Sequence, residues 1–288
     1  MKKIIFSLVM VITVFIMTGL SLKAQTIDVT AEKNFSSIGK TYEGQSDNYS
    51  SEIRPFSVGE GGYFGFYLDH KYNQFAHCFI TNGRETAWSG GLSFVNLNNN
   101  NNLFFKMNLG LKQATIRYEK LNCDYNDYQK DFLFDGLMTL AYYRPEVDFF
   151  NRTIITASMN QPITSQKKLY YDSKIVDLPD SVSANLQYFS LNLDQTLLRF
   201  YLSEDWIANL DVNIGYSFEH PIITSTKEIK NSSFIFGGSI SIFGGEHFYQ
   251  NMIKVYAYQQ VGGFKPGFNA GLSINFTPLI VLFLPKGC

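Results

Sequence analysis

Between Trp206 and Glu219 the chain changes character at every residue. Even positions hold Trp206, Ala208, Leu210, Val212, Ile214, Tyr216 and Phe218; odd positions hold Ile207, Asn209, Asp211, Asn213, Gly215, Ser217 and Glu219. A helix would scatter these residues around its circumference, whereas a strand puts them on opposite faces. Phe268–Thr277 repeats the pattern, with Phe268, Ala270, Leu272, Ile274 and Phe276 set against Asn269, Gly271, Ser273, Asn275 and Thr277. Leu103–Lys112 sets Leu103, Phe105, Met107, Leu109 and Leu111 against Phe104, Lys106, Asn108, Gly110 and Lys112. Gln187–Asp194, Phe234–Ile242 and Gly62–Leu68 are weaker copies. The best runs reach about ten residues, beyond the ~5–6 of soluble strands and near the ~9–11 that a tilted strand needs to cross hydrocarbon. That length favours a barrel over a soluble secreted β-sandwich, the alternative fold.

Composition agrees with alternation. The chain has 26 Phe and 18 Tyr, yet its mean hydropathy is only -0.08, as when apolar and polar residues interleave. After residue 24 no apolar run is long enough for a transmembrane helix. Lys plus Arg, 24, nearly cancel Asp plus Glu, 25, which argues against nucleic acid as a partner. The cysteines Cys78, Cys123 and Cys288 form no spaced framework. Cys78 sits in an apolar stretch as a free thiol, and a Cys123–Cys288 bridge is left open.

The first residues read as an export signal. Met1-Lys2-Lys3 supplies positive charge, Ile4–Leu20 an apolar run, and Ala24-Gln25 a small-residue junction. Cleavage is expected after Ala24, making 1–24 a signal peptide; an uncleaved anchor is the rival reading. No Cys stands at the junction for a lipid anchor.

Alternation marks eleven strands, near 62–70, 74–81, 86–97, 102–119, 132–143, 150–160, 186–202, 206–219, 231–243, 251–261 and 267–277. Asn98–Asn102, Arg144–Phe149 and Ser203–Asp205 are short connections; Lys120–Asp131, Gln161–Asn185 and His220–Lys230 are long. Short and long alternate, as periplasmic turns and extracellular loops do in membrane barrels. Carried backwards, this phase makes 62–70 a descending strand and requires one before it, supplied by Thr26–Glu32. The expectation is a closed antiparallel up-and-down barrel of about twelve strands over residues 25–277. Residues 34–55 would be the first extracellular loop or an N-terminal extension, and 278–288 a C-terminal periplasmic tail, because Pro278 would break a ladder bond.

With signal, strands and loop asymmetry in place, the chain resembles outer-membrane β-barrel proteins. The Lys23-Ala24-Gln25 junction and the Ser203–Trp206 turn give it the look of those of the Bacteroidota, with no particular substrate family. The resemblance implies an outer-membrane location, membrane lipid as surroundings, and barrel-assembly machinery as a partner during insertion. Leu272-x-Ile274-x-Phe276 has the form of the aromatic-ended assembly signal of such barrels, but here further residues follow it.

The polar faces name the candidate site. Lys106, Asn108, Lys112, Asn192, Asp194, Asn209, Asp211, Asn213, Asn269, Ser273 and Asn275 are expected to line the lumen, with Arg199 adding charge. Such a lining suits a narrow, porin-like channel for small polar solutes, or a hydrogen-bonded filling in a surface-exposed structural or binding scaffold. A barrel hydrolase acting on phospholipid or lipopolysaccharide is the alternative, prompted by His77–Arg84. Its spacing defeats it: His77 and Thr81 lie about 13 Å apart at ~3.3 Å per residue, beyond hydrogen-bond reach, and Phe79 stands where a nucleophile belongs. Asn82-Gly83 reads instead as the tip of a turn. His70, His220 and His247 have no partner histidine at ligand spacing, so no catalytic residue, metal or cofactor is expected.

Overall fold

The alternating segments pair with their neighbours as antiparallel ladders. The computed structural model describes residues 26–38, 42–77, 80–98, 102–120, 125–171, 174–177, 188–203, 206–219, 231–244, 251–262 and 267–276. Its strands are β1 (Thr26–Ile38), β2 (Tyr42–Ser57), β3 (Gly62–His77), β4 (Ile80–Asn98), β5 (Leu103–Lys120), β6 (Tyr125–Tyr143), β7 (Arg152–Tyr171), β8 (Lys174–Asp177), β9 (Tyr188–Tyr201), β10 (Trp206–Glu219), β11 (Asn231–Gly244), β12 (Ile253–Gly262) and β13 (Gly267–Asn275). Because β1 pairs with β13 and β6 with β7, the sheet closes. The wall has twelve strands. The short β8 pairs only with Lys168–Tyr171 of β7 and adds nothing to the ring. The start of β1 and the end of β13 lie at one rim, where the Phe276 amide donates to the Val29 carbonyl; we call this the terminal rim and the other the far rim.

Polarity is inverted relative to a soluble core. Leu111, Ile214, Phe236 and Ile240 are each more than half exposed, while Asn209, Asp211, Ser93 and Thr196 are buried. The outward apolar positions form a continuous band. On β6 it runs from Phe132 to Tyr142, ten residues or ~33 Å of strand at ~3.3 Å each. A tilt of ~40° reduces that to ~25 Å, the height of the apolar band of membrane-spanning barrels. Aromatic residues mark both borders: Tyr142, Phe149, Phe150 and Phe200 near the terminal rim, Trp88 and Phe132 toward the far one.

The structure revises the strand reading in four places. Of residues 34–55, expected as a loop or extension, 34–38 belong to β1 and 42–55 to β2, paired from Thr26↔Arg54 to Ile38↔Tyr42. On β2 both faces carry polar side chains, so period two leaves no hydropathy contrast. The expected strands 62–70, 74–81 and 86–97 are two, β3 and β4, and His77↔Ile80 closes the hairpin between them. Asn82 and Gly83 therefore lie inside β4, and 62–70 ascends from the terminal rim. The missed β2 and the surplus strand cancel, which is why twelve stands. The long connections 120–131 and 161–185 are partly ladder, since β6 begins at Tyr125 and β7 runs to Tyr171. Above the apolar band neither face is greasy, yet the backbone hydrogen bonds continue.

Two prolines inside the wall obey the same backbone logic. Pro55 and Pro162 each fall at a register shift, between Ile53 and Phe56 and opposite Phe132/Leu133, where no ladder donor is needed. In the turn between β4 and β5, Asn102 takes φ 52°, a left-handed geometry that asparagine tolerates. The proposed signal peptide, the tail 278–288 and all three cysteines lie outside the described residues.

Candidate functional site

The barrel interior is the candidate site, and its terminal half is filled. Inward side chains from β4, β5, β6, β10 and β11 meet in one buried apolar cluster: Val95, Phe104, Ala141, Tyr143, Ile207 and Phe243. In the ring order β4 and β11 are diametrically opposed, so the cluster spans the lumen. All six residues lie near the terminal ends of their strands. Phe243 has no exposed surface and Val95 is 2% exposed.

Two charged networks flank this cluster. In the first, Arg54 of β2 pairs with Glu52 and, at 2.8 Å, with Asp28 of β1, and its Nε donates to Ser93 of β4 at 2.8 Å. Glu52 also accepts from Asn108 at 2.8 Å and pairs with Lys106 at 2.5 Å, both on β5. In the second, Arg152 at the start of β7 donates to Asp211 of β10 at 2.7 Å, Ser241 of β11 at 3.3 Å and Asn251 at 2.8 Å. Its guanidinium lies 5.0 Å from the Phe243 ring centroid. Thr196 and Ser241 donate to the same carboxylate, at 2.6 and 2.5 Å. Burying a charge is costly unless it is paired and hydrogen-bonded, and here each charge has several partners.

The lumen candidates sort by what they touch. Lys106 and Asn108 converge on Glu52. Asn209 donates to Thr196 at 3.0 Å and so joins Asp211 in the Arg152 network. Asp194 accepts from Asn213 and pairs with Lys254 of β12 at 3.0 Å. Asn192 donates to Ser190 at 3.5 Å. Lys112, Asn269, Ser273 and Asn275 occupy inward register positions opposite Ser89, Tyr258, Lys254 and Thr30. Arg199 instead braces the terminal rim: it donates to the Pro145 carbonyl at 2.9 Å and lies 5.0 Å over the Tyr143 ring. Glu52, Arg54 and Arg152 escaped the sequence reading. The first two sit on the strand without hydropathy contrast, and Arg152 begins its strand beside a turn.

A second device stiffens the wall. Tyr67, Gly91, Gly110 and Asp135 form one register row across β3 to β6. The tyrosine lies along the wall over both glycines and its hydroxyl donates to Asp135 at 3.0 Å. A Cβ on Gly110 would come 2.5 Å from that hydroxyl and 2.3 Å from the Gly90 carbonyl oxygen. Tyr256 repeats this over Gly271, hydrogen-bonding Glu32 and accepting from Asn34 at 3.0 Å on β1. Gly110→Ala is expected to cost about 1–3 kcal/mol by overpacking, read from the urea midpoint of unfolding from lipid vesicles.

His70 lies on the outer face, its ring centroid 4.2 Å from that of Trp88, away from the interior carboxylates. Among the described residues no three His, Cys, Asp or Glu side chains converge as a metal site would require.

No protein-family model matches the chain, and no curated protein matches it in sequence. Solved structures do. The β domain of the Bordetella autotransporter BrkA aligns over 86% of this chain and 97% of its own, at 10% identity and a TM-score of 0.52. The fold is that of an outer-membrane barrel. The translocator domain of the autotransporter NalP from Neisseria meningitidis aligns over 90% of each chain at 11% identity and a TM-score of 0.49. The KdgM porin covers 86% of this chain and 98% of its own, at 11% identity and a TM-score of 0.33. At such identities the likeness concerns architecture alone, so the chemistry is argued from this chain's own interior.

Proposed function

We propose that the protein spans the outer membrane as a barrel stoppered at the terminal rim, a surface-exposed scaffold with a polar vestibule rather than a standing pore. The membrane part rests on the inverted polarity and the ~25 Å apolar band. The stopper part rests on one observation: the apolar cluster joining opposed strands, flanked by Arg54 and Arg152, whose side chains are 1% and 2% exposed. Toward the far rim the inward charges are wetter, and Lys71, facing Glu85 at 3.9 Å, is 41% exposed. The inward amides and hydroxyls there suit small polar solutes entering from that side. The far rim then faces outward and the terminal rim faces the periplasm.

Planar-bilayer recording on refolded protein tests this reading. The expected result is a quiet membrane with at most rare, brief openings. Long-lived, uniform current steps would show a standing pore and restore the narrow-channel reading. Recovery in the soluble fraction without detergent would overturn the membrane reading altogether.

A further inference from the structure

We infer that the outer wall carries a binding site for a phosphorylated glycolipid of the outer leaflet, where β3, β4 and β5 leave the apolar band; this rests on the membrane reading above. Tyr72, Arg84, Thr86, Trp88, Gln113 and Thr115 line a recess of about 450 Å³ in the outward face. They share register rows: Tyr72↔Thr86↔Thr115, and Trp88↔Gln113 below. Lys130 follows Thr115 in the same row on β6, with its Nζ 5.6 Å from the Phe132 ring centroid. The recess therefore has a cation at its upper lip, a second cation beside it, and hydroxyl and amide donors between. Asp47, the acid in register with Tyr72, faces Lys33 at 3.9 Å.

The surface below the recess suits an acyl chain. Gly90 separates Leu68 and Leu111 in one row, so the wall drops by a side chain between two leucines that are 42% and 56% exposed. This one-residue dip lies beneath Trp88, and below it the apolar surface continues through Leu92, 48% exposed. An occupant must carry anionic oxygens at the height of Arg84 and hydrocarbon below Trp88. A compact phosphomonoester matches the guanidinium with charge-assisted hydrogen bonds, and the proposed orientation puts the recess in the outer leaflet. A lipid of the lipid A type has both parts.

The chain has two tryptophans, so Trp206→Phe leaves Trp88 as the sole reporter. The protein is refolded into phosphatidylcholine vesicles doped with lipid A, dephosphorylated lipid A or phosphatidylglycerol, and Trp88 emission is followed against dopant fraction. Lipid A should saturate the change at low fraction, and Arg84→Gln should raise the half-saturating fraction about tenfold, the effect of losing one hydrogen bond to a charged group. Dephosphorylated lipid A should not saturate, and phosphatidylglycerol only at a far higher fraction. An unchanged Arg84→Gln titration, or equal response to either other dopant, overturns the site. Quenching of Trp88 by chain-brominated phosphatidylcholine verifies insertion of each variant. If the parent chain shows no quenching, the membrane reading itself has failed and the site falls with it.

Discussion

Met138→Arg should lower unfolding stability in lipid vesicles by about 2–4 kcal/mol, the cost of a cationic side chain on the lipid face near mid-bilayer. Met138 points outward from β6, near the middle of the band between Phe132 and Tyr142, and is 45% exposed. In water a substitution at so exposed a site would change stability by no more than about 0.5 kcal/mol. The same residue therefore gives two well-separated outcomes according to the solvent around it. Val58→Arg, in the turn between β2 and β3 and 56% exposed, supplies the control. It lies beyond the band, so its effect should be near zero in either solvent. Urea midpoints of the two variants in vesicles decide the matter, and a small effect at both sites would remove the bilayer from the account.

What could be read from the residues depended on the contrast between the two faces of a strand. From Leu103 to Lys112 and from Trp206 to Glu219 one face meets an apolar surrounding and the other a polar interior, so hydropathy alone locates the strand and orients each side chain. That is why hydropathy alone assigns Lys106, Asn108, Asn209 and Asp211 to the inward face. The contrast vanishes on β2, where Ser51 shares the outward side with Tyr49 while Glu52 and Arg54 point in. It also vanishes above the band, on Tyr125–Lys130 and the end of β7. Strand pairing there is held by backbone hydrogen bonds, which leave no mark in side-chain hydropathy. The stopper was illegible for a different reason. Val95, Phe104 and Phe243 are apolar residues on inward positions, breaks in the pattern that local reading treats as noise. Only closure of the ring brings β4 and β5 within reach of β11 and turns those breaks into one cluster.

The stopper makes the second large prediction. Removing the Arg152 guanidinium takes three hydrogen-bond partners and the Phe243 ring contact with it. It leaves the Asp211 carboxylate 1% exposed, answered by the Thr196 and Ser241 hydroxyls and the more distant charge of Lys254. Arg152→Ala should therefore cost about 3–5 kcal/mol, the penalty for stranding one partner of a buried pair. Replacing both members, as Arg152→Met with Asp211→Leu, should return most of that loss, because two apolar groups leave no orphaned charge. Stability alone would not separate a stopper from ordinary filling, so conductance is the second readout. In Arg152→Ala the brace on Phe243 is gone while the twelve-strand ladder is intact, and current steps absent from the parent should appear. The double variant refills the volume and should be quiet again. If Arg152→Ala loses stability but passes no current, the cluster of Val95, Phe104, Tyr143 and Phe243 seals the rim unaided. If the parent already conducts steadily, the interior is a pore lining and the stopper reading is wrong.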